Sequence, residues 1–234
     1  MIVLQQVSHR FGDKTVLHGL TLSLAERRIG VVGANGSGKS TFARLLNGLV
    51  MPSSGQVAID GLDSRRDTRA LRRKVGFVFQ DPDNQIVMPT VAEDIAFGLR
   101  NLGLPRDEIT RRTDAILESQ GLMALRDQAA HLLSGGEKQM LAIAAVLVMA
   151  PAYIVFDEPT TLLDLRNRRQ IARIIAALPQ VAIVVTHDLD LIQDFERVIV
   201  LDQGRLVRDG PAADVIPFYQ AMMASDRHGP GTGV

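Results

Sequence analysis

Cysteine is absent from the 234 residues, and the basic and acidic residues balance to a formal net charge of zero at pH 7. The absence of cysteine excludes disulfides and thiolate metal sites and fits a reducing compartment. The zero balance gives no overall basic field, so we expect no nucleic acid partner. The longest apolar run, Met140–Ala150, falls short of the ~20 residues that a membrane-spanning helix needs.

The sequence does contain a glycine-rich turn between a short apolar strand and a helix. The segment Gly33–Thr41 follows the apolar run Ile29–Val32 and has the spacing G-x-x-x-x-G-K-[ST] of a P-loop. Its three glycines permit positive φ and leave no Cβ between the backbone N–H groups and an incoming phosphate. The helix that begins near Lys39 adds unpaired N–H donors and the positive end of its dipole. The loop therefore predicts polyphosphate binding, while ATP or GTP, and a motor or a kinase, remain open.

Three side chains of this loop have predicted roles. Lys39 should reach the β- and γ-phosphates, the Ser40 hydroxyl should ligate Mg²⁺, and Thr41 should donate to the α-phosphate. An ordinary glycine-rich turn between a strand and a helix is the alternative. The complete motif in its expected context argues against that alternative.

A second candidate site is the apolar strand Tyr153–Phe156, which is followed directly by Asp157 and Glu158. Open α/β sheets place their sites at the carboxyl ends of strands, and consecutive side chains of an extended chain point in opposite directions. Asp157 is therefore predicted to join the Mg²⁺ shell beside Ser40, and Glu158 to act as the base for the attacking water. A strand end that simply meets solvent is the alternative.

A third motif, Leu133-Ser134-Gly135-Gly136-Glu137, opens the most apolar helix of the chain. The serine hydroxyl and the glycine N–H groups form another helix terminus that could bind an anion. A serine N-cap with Glu137 completing a capping box accounts for the same residues. The residues alone do not choose between these two interpretations.

The order of the motifs resembles that of the ATP-binding cassette (ABC) family. Along the chain come the P-loop, Gln80 after the strand Val75–Phe79, the Leu-Ser-Gly-Gly-Glu segment, Asp157-Glu158-Pro159-Thr160, and Thr186-His187-Asp188 after the strand Val181–Val185. The resemblance covers nearly the whole chain. It implies an α/β fold: a P-loop NTPase (RecA-like) core with an N-terminal antiparallel β subdomain and an inserted α-helical subdomain.

The expected organisation is a single nucleotide-binding domain at residues 1–224, followed by a flexible tail at 225–234. Residues 1–80 and 151–215 would form the core, and 81–150 the helical subdomain. The remaining predicted strands are Ile2–Val7, Thr21–Leu24, Gln56–Ile59, Arg197–Leu201 and Arg205–Arg208. The predicted helices are Thr90–Leu102, Arg106–Ser119, Glu137–Met149 and Asp164–Leu178.

The resemblance also implies that two cassettes close head to tail around ATP and Mg²⁺, with a homodimer permitted by the complete set of motifs. The implied catalytic residues are Glu158, His187 and Gln80. The implied nucleotide-binding residues are Phe11, Gly33, Asn35, Gly36, Ser37, Gly38, Lys39, Ser40, Thr41, Ser134, Gly135, Gly136 and Asp164, and the implied metal-binding residues are Ser40, Gln80 and Asp157.

Several of these roles come from the resemblance alone. Ser134 and its two glycines would bind the γ-phosphate held by the other cassette, and Gln80 would sense Mg²⁺ and the lytic water. His187 would hydrogen-bond the γ-phosphate and position Glu158. Phe11 would stack on the adenine ring, with core packing as its alternative. The chain departs from the family at Leu162, where glycine or alanine is usual, so the resemblance does not imply close packing across the dimer there.

The stretch Gln80–Leu99 looks like the ATPases of energy-coupling factor importers, which take up vitamins such as biotin or transition-metal ions. That resemblance implies a peripheral protein at the cytoplasmic face of a bacterial membrane. Its partners would be a transmembrane coupling protein and a substrate-capturing membrane protein. The ATPase of a conventional importer or exporter, and a soluble regulator outside transport, are the alternatives. Residues 86–88 are either core or an exposed docking surface.

Overall fold

The computed structural model describes residues 1–225, which divide into two compact units. The first unit comprises Met1–Leu71 and the described residues from Ile183 onward, and the second comprises Arg72–Ala182. The predicted tail at 225–234 lies outside the described residues, except that Ser225 is the last residue of a helix. No helix within residues 1–225 is long and apolar enough to cross a membrane.

The first unit contains most of the strands. Its elements are β1 (Ile2–Phe11), β2 (Lys14–Leu24), β3 (Arg28–Val32), α1 (Lys39–Leu46), β4 (Ser54–Ile59), β5 (Leu62–Asp63), α7 (Leu189–Ile192), β9 (Arg197–Asp202), β10 (Arg205–Gly210) and α8 (Ala212–Ser225). An antiparallel sheet has the strand order β2-β1-β4-β5. β3 pairs in parallel with β9, and β9 pairs antiparallel with β10. The predicted mixed α/β character and the antiparallel sheet near the N-terminus are therefore confirmed.

The strand β1 carries a bulge that a glycine accommodates. Its register with β2 and β4 shifts after Leu4 and Gln5 respectively, and Gln6 adopts a positive φ of 49°. Opposite the bulge, a Cβ on Gly55 would lie 2.3 Å from the carbonyl oxygen of Gln6. Only glycine permits this approach, so the two strands stay paired on both sides of the bulge.

The second unit contains most of the helices. Its elements are β6 (Val75–Val78), α3 (Val91–Asn101), α4 (Arg106–Ser119), α5 (Gly135–Leu147), β7 (Tyr153–Asp157) and α6 (Leu165–Ala177), with short 3-10 turns at Pro82–Asn84, Met123–Leu125 and Ala130–Leu132. The chain enters this unit within α2 (Thr68–Lys74) and leaves it within β8 (Val181–Val185). β6 and β7 pair in parallel and are buried along their whole length. The predicted helical subdomain, 81–150, contains α3, α4 and α5, and its boundaries stay a prediction.

Capping boxes fix the start of two helices in the second unit. The Thr90 hydroxyl accepts from the backbone N–H of Glu93 at the start of α3, and the Ser134 hydroxyl accepts from that of Glu137 at the start of α5. Both glutamates return a bond to the backbone of their cap residue. Thr90 and Ser134 therefore end the preceding loops at defined positions, as their sequence spacing predicts.

Candidate functional site

The P-loop leaves β3 in a backbone conformation that only glycine accepts. Gly33, Gly36 and Gly38 have φ values of 157°, 78° and 98°. A Cβ on Gly33 would lie 2.0 Å from the carbonyl oxygen of Leu201, and one on Gly38 would lie 2.6 Å from Leu17 Cδ2. A Cβ on Gly36 would meet nothing within 4 Å among the described residues. The loop is thus pressed against its own unit at both ends and open at its middle.

The side chain of Lys39 folds back over the P-loop and contacts the first two residues of the loop. Lys39 is buried, and its Nζ donates to the carbonyl oxygens of Gly33 at 2.8 Å and Ala34 at 3.0 Å. Lys39 is also the first residue of α1, and the first turn of that helix has no acidic residue. The buried Ser37 hydroxyl has no hydrogen-bond partner within residues 1–225. A buried ammonium, a helix N-terminus and an unsatisfied hydroxyl together suit an anionic ligand.

Phe11, a predicted nucleotide-binding residue, lies in the same unit as the P-loop. The β1–β2 hairpin borders the loop, because the Val16 carbonyl and the Leu17 side chain lie against Gly38. At the end of this hairpin, the Phe11 ring is 53% exposed. It meets the ring of His9 edge-on, with ring centroids 4.5 Å apart. Phe11 is therefore not a core residue, and its exposed face is available for stacking.

His187 follows β8 on the side of the P-loop strand. The backbone N–H of Thr186 donates to the carbonyl of Val31 in β3 at 3.1 Å. His187 is the next residue and is exposed. β3 continues directly into the P-loop, so the first unit gathers the loop, the hairpin of Phe11 and His187 near one end of β3.

The second unit gathers the predicted carboxylates and Gln80 at one edge. Val78 of β6 lies opposite Phe156 of β7 in the register of the two strands. Gln80 and Glu158 each follow that pair by two residues, and Asp157 is the last residue of β7. The carboxyl ends of these parallel strands therefore bring the three residues together, which is the edge where α/β sheets place their sites.

The two carboxylates differ in their backbone. Asp157 is buried in the extended conformation of β7, whereas Glu158 is buried at a φ of 53°. The Thr161 hydroxyl lies 3.4 Å from Glu158 Oε2, and its N–H donates to the Glu158 carbonyl. Left-handed φ is uncommon for glutamate and clusters at functional sites. The turn that Glu158 forms with Thr161 thus contacts both the carbonyl and the carboxylate of Glu158.

The motif Leu133-Ser134-Gly135-Gly136-Glu137, called the signature segment from here on, forms the capping box that its sequence predicts. The hydroxyl and the N–H of Ser134 donate to Glu137 Oε2 at 2.7 and 2.8 Å, and these bonds lower the pKa of Glu137. Ser134 and Gly135 are exposed, while Gly136 is buried. A Cβ on Gly136 would lie 2.4 Å from Nδ2 of Asn167 in α6. Capping therefore explains these residues locally, and anion binding by them stays a prediction.

The segment that departs from the family pattern has an unusual backbone. Leu162 adopts a φ of 63°, and its side chain is 97% exposed. Asp164 is the N-cap of α6, where its Oδ1 accepts from the Asn167 N–H at 2.8 Å. Glycine adopts left-handed φ without the steric cost that leucine meets. The position thus suits glycine, which is one of the two residues that the family resemblance leads us to expect there.

A buried aspartate that sequence reasoning missed shapes the loop before α3. Asp94 Oδ1 accepts from the backbone N–H groups of Val87 at 2.9 Å and Met88 at 3.0 Å. Its side chain is buried, and burial raises the pKa of Asp94 despite those two bonds, which lower it. Val87 is 62% exposed, and residues 86 and 88 are half-buried. Val87 is therefore not a core residue, and Asp94 holds the backbone of Val87 and Met88.

Within residues 1–225 there is no cluster of three histidine, cysteine, aspartate or glutamate side chains that could hold a metal. A Mg²⁺ site of the predicted kind does not need one. This ion keeps several waters and takes ligands from substrate phosphates, so one or two protein oxygens suffice. The Ser40 hydroxyl and the Asp157 carboxylate are oxygen donors of that type, so the residues present fit Mg²⁺.

Comparison with known proteins matches residues 17–161 to the family described as "ABC transporter". A "Putative ABC transporter ATP-binding protein" of Deinococcus radiodurans is 60% identical over 223 residues, which cover 95% of this chain and 99% of that protein. The "Biotin transport ATP-binding protein BioM" of Rhizobium etli is 50% identical over 214 residues, 92% of this chain and 95% of that protein.

Two solved structures extend the likeness to the fold. The structure of cbiO1 from Clostridium perfringens, part of the ABC transporter complex cbiONQ, has a TM-score of 0.81 at 32% identity and covers 97% of this chain and 94% of that chain. The ATP-binding cassette MJ0796, in a dimeric post-hydrolysis state with ADP and Pi, has a TM-score of 0.79 at 29% identity, covering 91% and 99%.

Proposed function

The chain belongs to the ABC transporter family and is an ATPase, and from this premise we propose that it energises a membrane importer of the energy-coupling factor type for a vitamin such as biotin. The observation that carries the proposal is the 50% identity to a biotin transport ATP-binding protein over 92% of the chain. The fold likeness to a subunit of the cbiONQ complex supports the same class of importer. A transition-metal ion is the second candidate cargo, because a cobalt import ATP-binding protein CbiO of Syntrophus aciditrophicus is 46% identical over 84% of the chain.

Nucleotide binding is assigned to the first unit. The triphosphate of ATP would occupy the open middle of the P-loop, where Gly36 leaves space and the buried ammonium of Lys39 faces the loop. Lys39 would exchange its carbonyl partners for β- and γ-phosphate oxygens, which form stronger charge-assisted bonds. The exposed ring of Phe11 would stack on adenine from the neighbouring hairpin. Asn35, Ser37 and Thr41 would complete the cradle with the backbone N–H groups.

Hydrolysis is assigned to the edge formed by β6 and β7. Ser40 and Asp157 would hold Mg²⁺, with Gln80 close to it, and the ion supplies charge neutralisation for the phosphate oxygens when bound. Glu158 would take a proton from the water that attacks the γ-phosphorus, as the bond to the β-phosphate oxygen breaks and ADP departs. His187 would hydrogen-bond the γ-phosphate and orient Glu158.

Two copies of the chain would complete each nucleotide site. The N-terminus of α5 is exposed at Ser134 and Gly135, and the positive end of the helix dipole there favours a phosphate. In a head-to-tail homodimer this end would meet the γ-phosphate on the P-loop of the other copy. Asp164 would lie in the same contact through the loop that ends at α6. The dimeric state named for the related cassette MJ0796 supports this arrangement.

The membrane partner would dock on the loop before α3. A groove of about 310 Å³ in the second unit is lined by Asp83, Ile86, Val87, Met88, Pro89, Ala130 and His131. The loop follows Gln80, which would respond to the γ-phosphate, and Asp94 fixes its backbone. A transmembrane coupling protein seated there would follow closure around ATP, since the docked partner contacts the element that changes. A second, substrate-capturing membrane protein would bind the coupling protein, with the ATPase peripheral at the cytoplasmic face.

Affinity purification from detergent-solubilised membranes of the native host tests this proposal. We expect a tagged copy of the chain to retain two dissimilar membrane proteins, one of them small, together with untagged copies of the chain. Recovery of paired transmembrane subunits without a small capturing protein would indicate a conventional importer or exporter instead. Recovery of no membrane protein would favour a soluble regulator.

A further inference from the structure

The loop that follows β6 is joined to α5 by one side-chain amide. Gln85 Oε1 accepts from the backbone N–H of Phe79 at 3.1 Å, and Gln85 Nε2 donates to the carbonyl of Ala142 at 2.7 Å. Phe79 is the residue immediately before Gln80, and Ala142 lies in the buried middle of α5. A carboxamide offers an acceptor and a donor side by side, so Gln85 satisfies both backbone groups at once.

We propose that Gln85 is a positioning residue for ATP hydrolysis, because it fixes the peptide before Gln80 to the helix that begins at the signature segment. Gln80 and the signature then move as one body when the cassette closes. The proposal rests on the proposed function, since it concerns how the same hydrolytic site is assembled. It gives a role to a side chain that is not among the predicted nucleotide-binding or metal-binding residues.

A rigid turn holds the Gln85 backbone while its side chain makes the connection. Asp81 caps the 3-10 turn Pro82–Asn84 by accepting from the Asp83 N–H, and the Gln85 N–H donates to the Pro82 carbonyl at 3.0 Å. A short capped turn of this kind leaves little freedom for the residue that ends it. Movement of the Gln85 backbone relative to the turn is therefore restricted, and α5 is tied to the turn as a whole.

Two other contacts join the same elements. Lys138 in the second turn of α5 forms an ion pair with Asp83, with Nζ and Oδ1 2.7 Å apart. β6 lies close on α5 at Gly76, where a Cβ would be 2.4 Å from Val146 Cγ1. Asp83 is well exposed, so the ion pair alone is a weak link. The part-buried amide of Gln85 is the connection that acts on the peptide next to Gln80.

Substitutions at Gln85 separate its two bonds. Gln85→Leu removes both, whereas Gln85→Glu keeps an acceptor for the Phe79 N–H and, while ionised, has no donor for the Ala142 carbonyl. A protonated glutamic acid regains that donor. Gln120→Leu is the matched control, because the amide of Gln120 in the same unit donates to the neighbouring Ser119 hydroxyl and joins no two separate elements among residues 1–225.

The test uses the full-length chain and measures the kcat and KM for ATP together with amide hydrogen exchange at Phe79. For Gln85→Leu we expect the amide of Phe79 to exchange at least about tenfold faster. We expect kcat to fall by at least about tenfold, while KM for ATP stays within about twofold. For Gln85→Glu, measured at about pH 8 where a carboxylate is ionised, we expect Phe79 to stay protected and kcat to fall by at least about fivefold. Gln120→Leu should change none of these.

Each result has a definite meaning. Unchanged kcat in a folded Gln85→Leu variant with an exposed Phe79 amide would overturn the positioning role. If Gln85→Leu does not fold, an unchanged kcat in folded Gln85→Glu overturns the positioning role, and a lowered kcat with Phe79 still protected supports it. A chain that never hydrolyses ATP would overturn the proposed function itself, and the role of Gln85 with it.

Discussion

The Nζ atom of Lys39 donates to the carbonyl oxygen of Gly33, 2.8 Å away, so the first and seventh residues of the P-loop are in direct contact. A second bond, to Ala34, holds the ammonium over the same stretch of backbone. A buried cation that donates to neutral carbonyl oxygens gains much when anionic phosphate oxygens replace them. The geometry of the loop is therefore prepared for phosphate before any phosphate arrives.

Lys39→Ala should lower the affinity for ATP by at least about 100-fold. Two or more charge-assisted hydrogen bonds at about 1.5–3 kcal/mol each are lost, and the backbone N–H groups alone attract the phosphates less. Calorimetric titration with ATP measures the loss. Arg69→Ala, which removes a cation from the exposed face of α2, is the control and should bind normally. Unchanged affinity in Lys39→Ala would refute the P-loop assignment.

Glu158→Gln should bind ATP with Mg²⁺ and hydrolyse it at least about 100-fold more slowly. The amide keeps the shape of the side chain and its contact with Thr161 but cannot accept the proton of the attacking water. Size-exclusion chromatography with ATP should show a long-lived dimer, and a phosphate-release assay should show the slow turnover. Glu118→Gln, on the exposed face of α4, should behave like the original chain. Near-normal turnover in Glu158→Gln would move the base elsewhere, with His187 as the next candidate.

The strands and helices that hold Lys39 and Glu158 could be predicted because their sequence signals are local. Apolar runs bounded by turn residues gave every strand except β5, and the caps Thr90 and Ser134 gave the starts of α3 and α5. The P-loop strand and helix follow from one continuous motif. Each of these signals depends on residues that are close in sequence, where periodicity and capping act.

The rest depends on contacts between distant segments. The helices α2, α7 and α8 were not predicted: two are short, and α8 has a proline inside it. Gln85 bonds to the backbone carbonyl of Ala142, and Asp94 bonds to the backbone N–H of Val87. Backbone groups are the same in nearly every residue, so the sequence does not indicate which of them a side chain will reach. From the sequence, Asp94 is one of two acidic residues in the first turn of the predicted helix Thr90–Leu102, where acidic residues are common. Only the fold shows that Asp94 faces inward.

Leu162→Gly should raise the free energy of unfolding by about 0.5–1 kcal/mol. A non-glycine residue in the left-handed region costs about 1–3 kcal/mol, and part of the relief is offset by the greater freedom of glycine in the unfolded chain. The leucine contributes no burial in return, since it is 97% exposed. Urea denaturation measures the change. Leu165→Gly is the matched control: this leucine is also exposed but lies in the first turn of α6, so its replacement should destabilise the chain.

Asp94 predicts a specific dependence of stability on pH. Burial raises the pKa of Asp94 above its ordinary value of 3.8, so the folded chain binds this proton more readily than the unfolded chain. The contribution of Asp94 to stability is therefore fully present below 3.8 and is lost as the pH rises through the raised pKa. Asp94→Asn keeps an Oδ1 acceptor for Val87 and Met88 without the charge, so it should be at least as stable at neutral pH.

Denaturation of Asp94→Asn from acidic to neutral pH should show a flatter profile than the original chain. Asp94→Leu removes the acceptor of two N–H groups and should cost about 2 kcal/mol of stability at neutral pH. Asp127→Asn is the control, because the Asp127 side chain is 84% exposed and its ion pair contributes little. A lower stability of Asp94→Asn at neutral pH would show that the ionised carboxylate is favourable where it lies.

Val87→Glu should abolish co-purification of the membrane partners and transport, while the isolated subunit folds and binds ATP as before. The side chain is 62% exposed, so a charge there meets solvent in the free subunit and costs the fold little. In a complex, the same charge would be removed from water against the apolar part of the groove formed with Ile86 and Met88. Val207→Glu is the matched control, since Val207 is an exposed valine on β10 in the other unit. If Val87→Glu unfolds, the loop is part of the core of the working protein; if it folds and still supports full transport, the coupling surface lies elsewhere. Met88→Glu, which introduces a charge at the half-buried residue beside Val87, should give the same loss of partners, because Asp94 holds the two residues through adjacent backbone bonds.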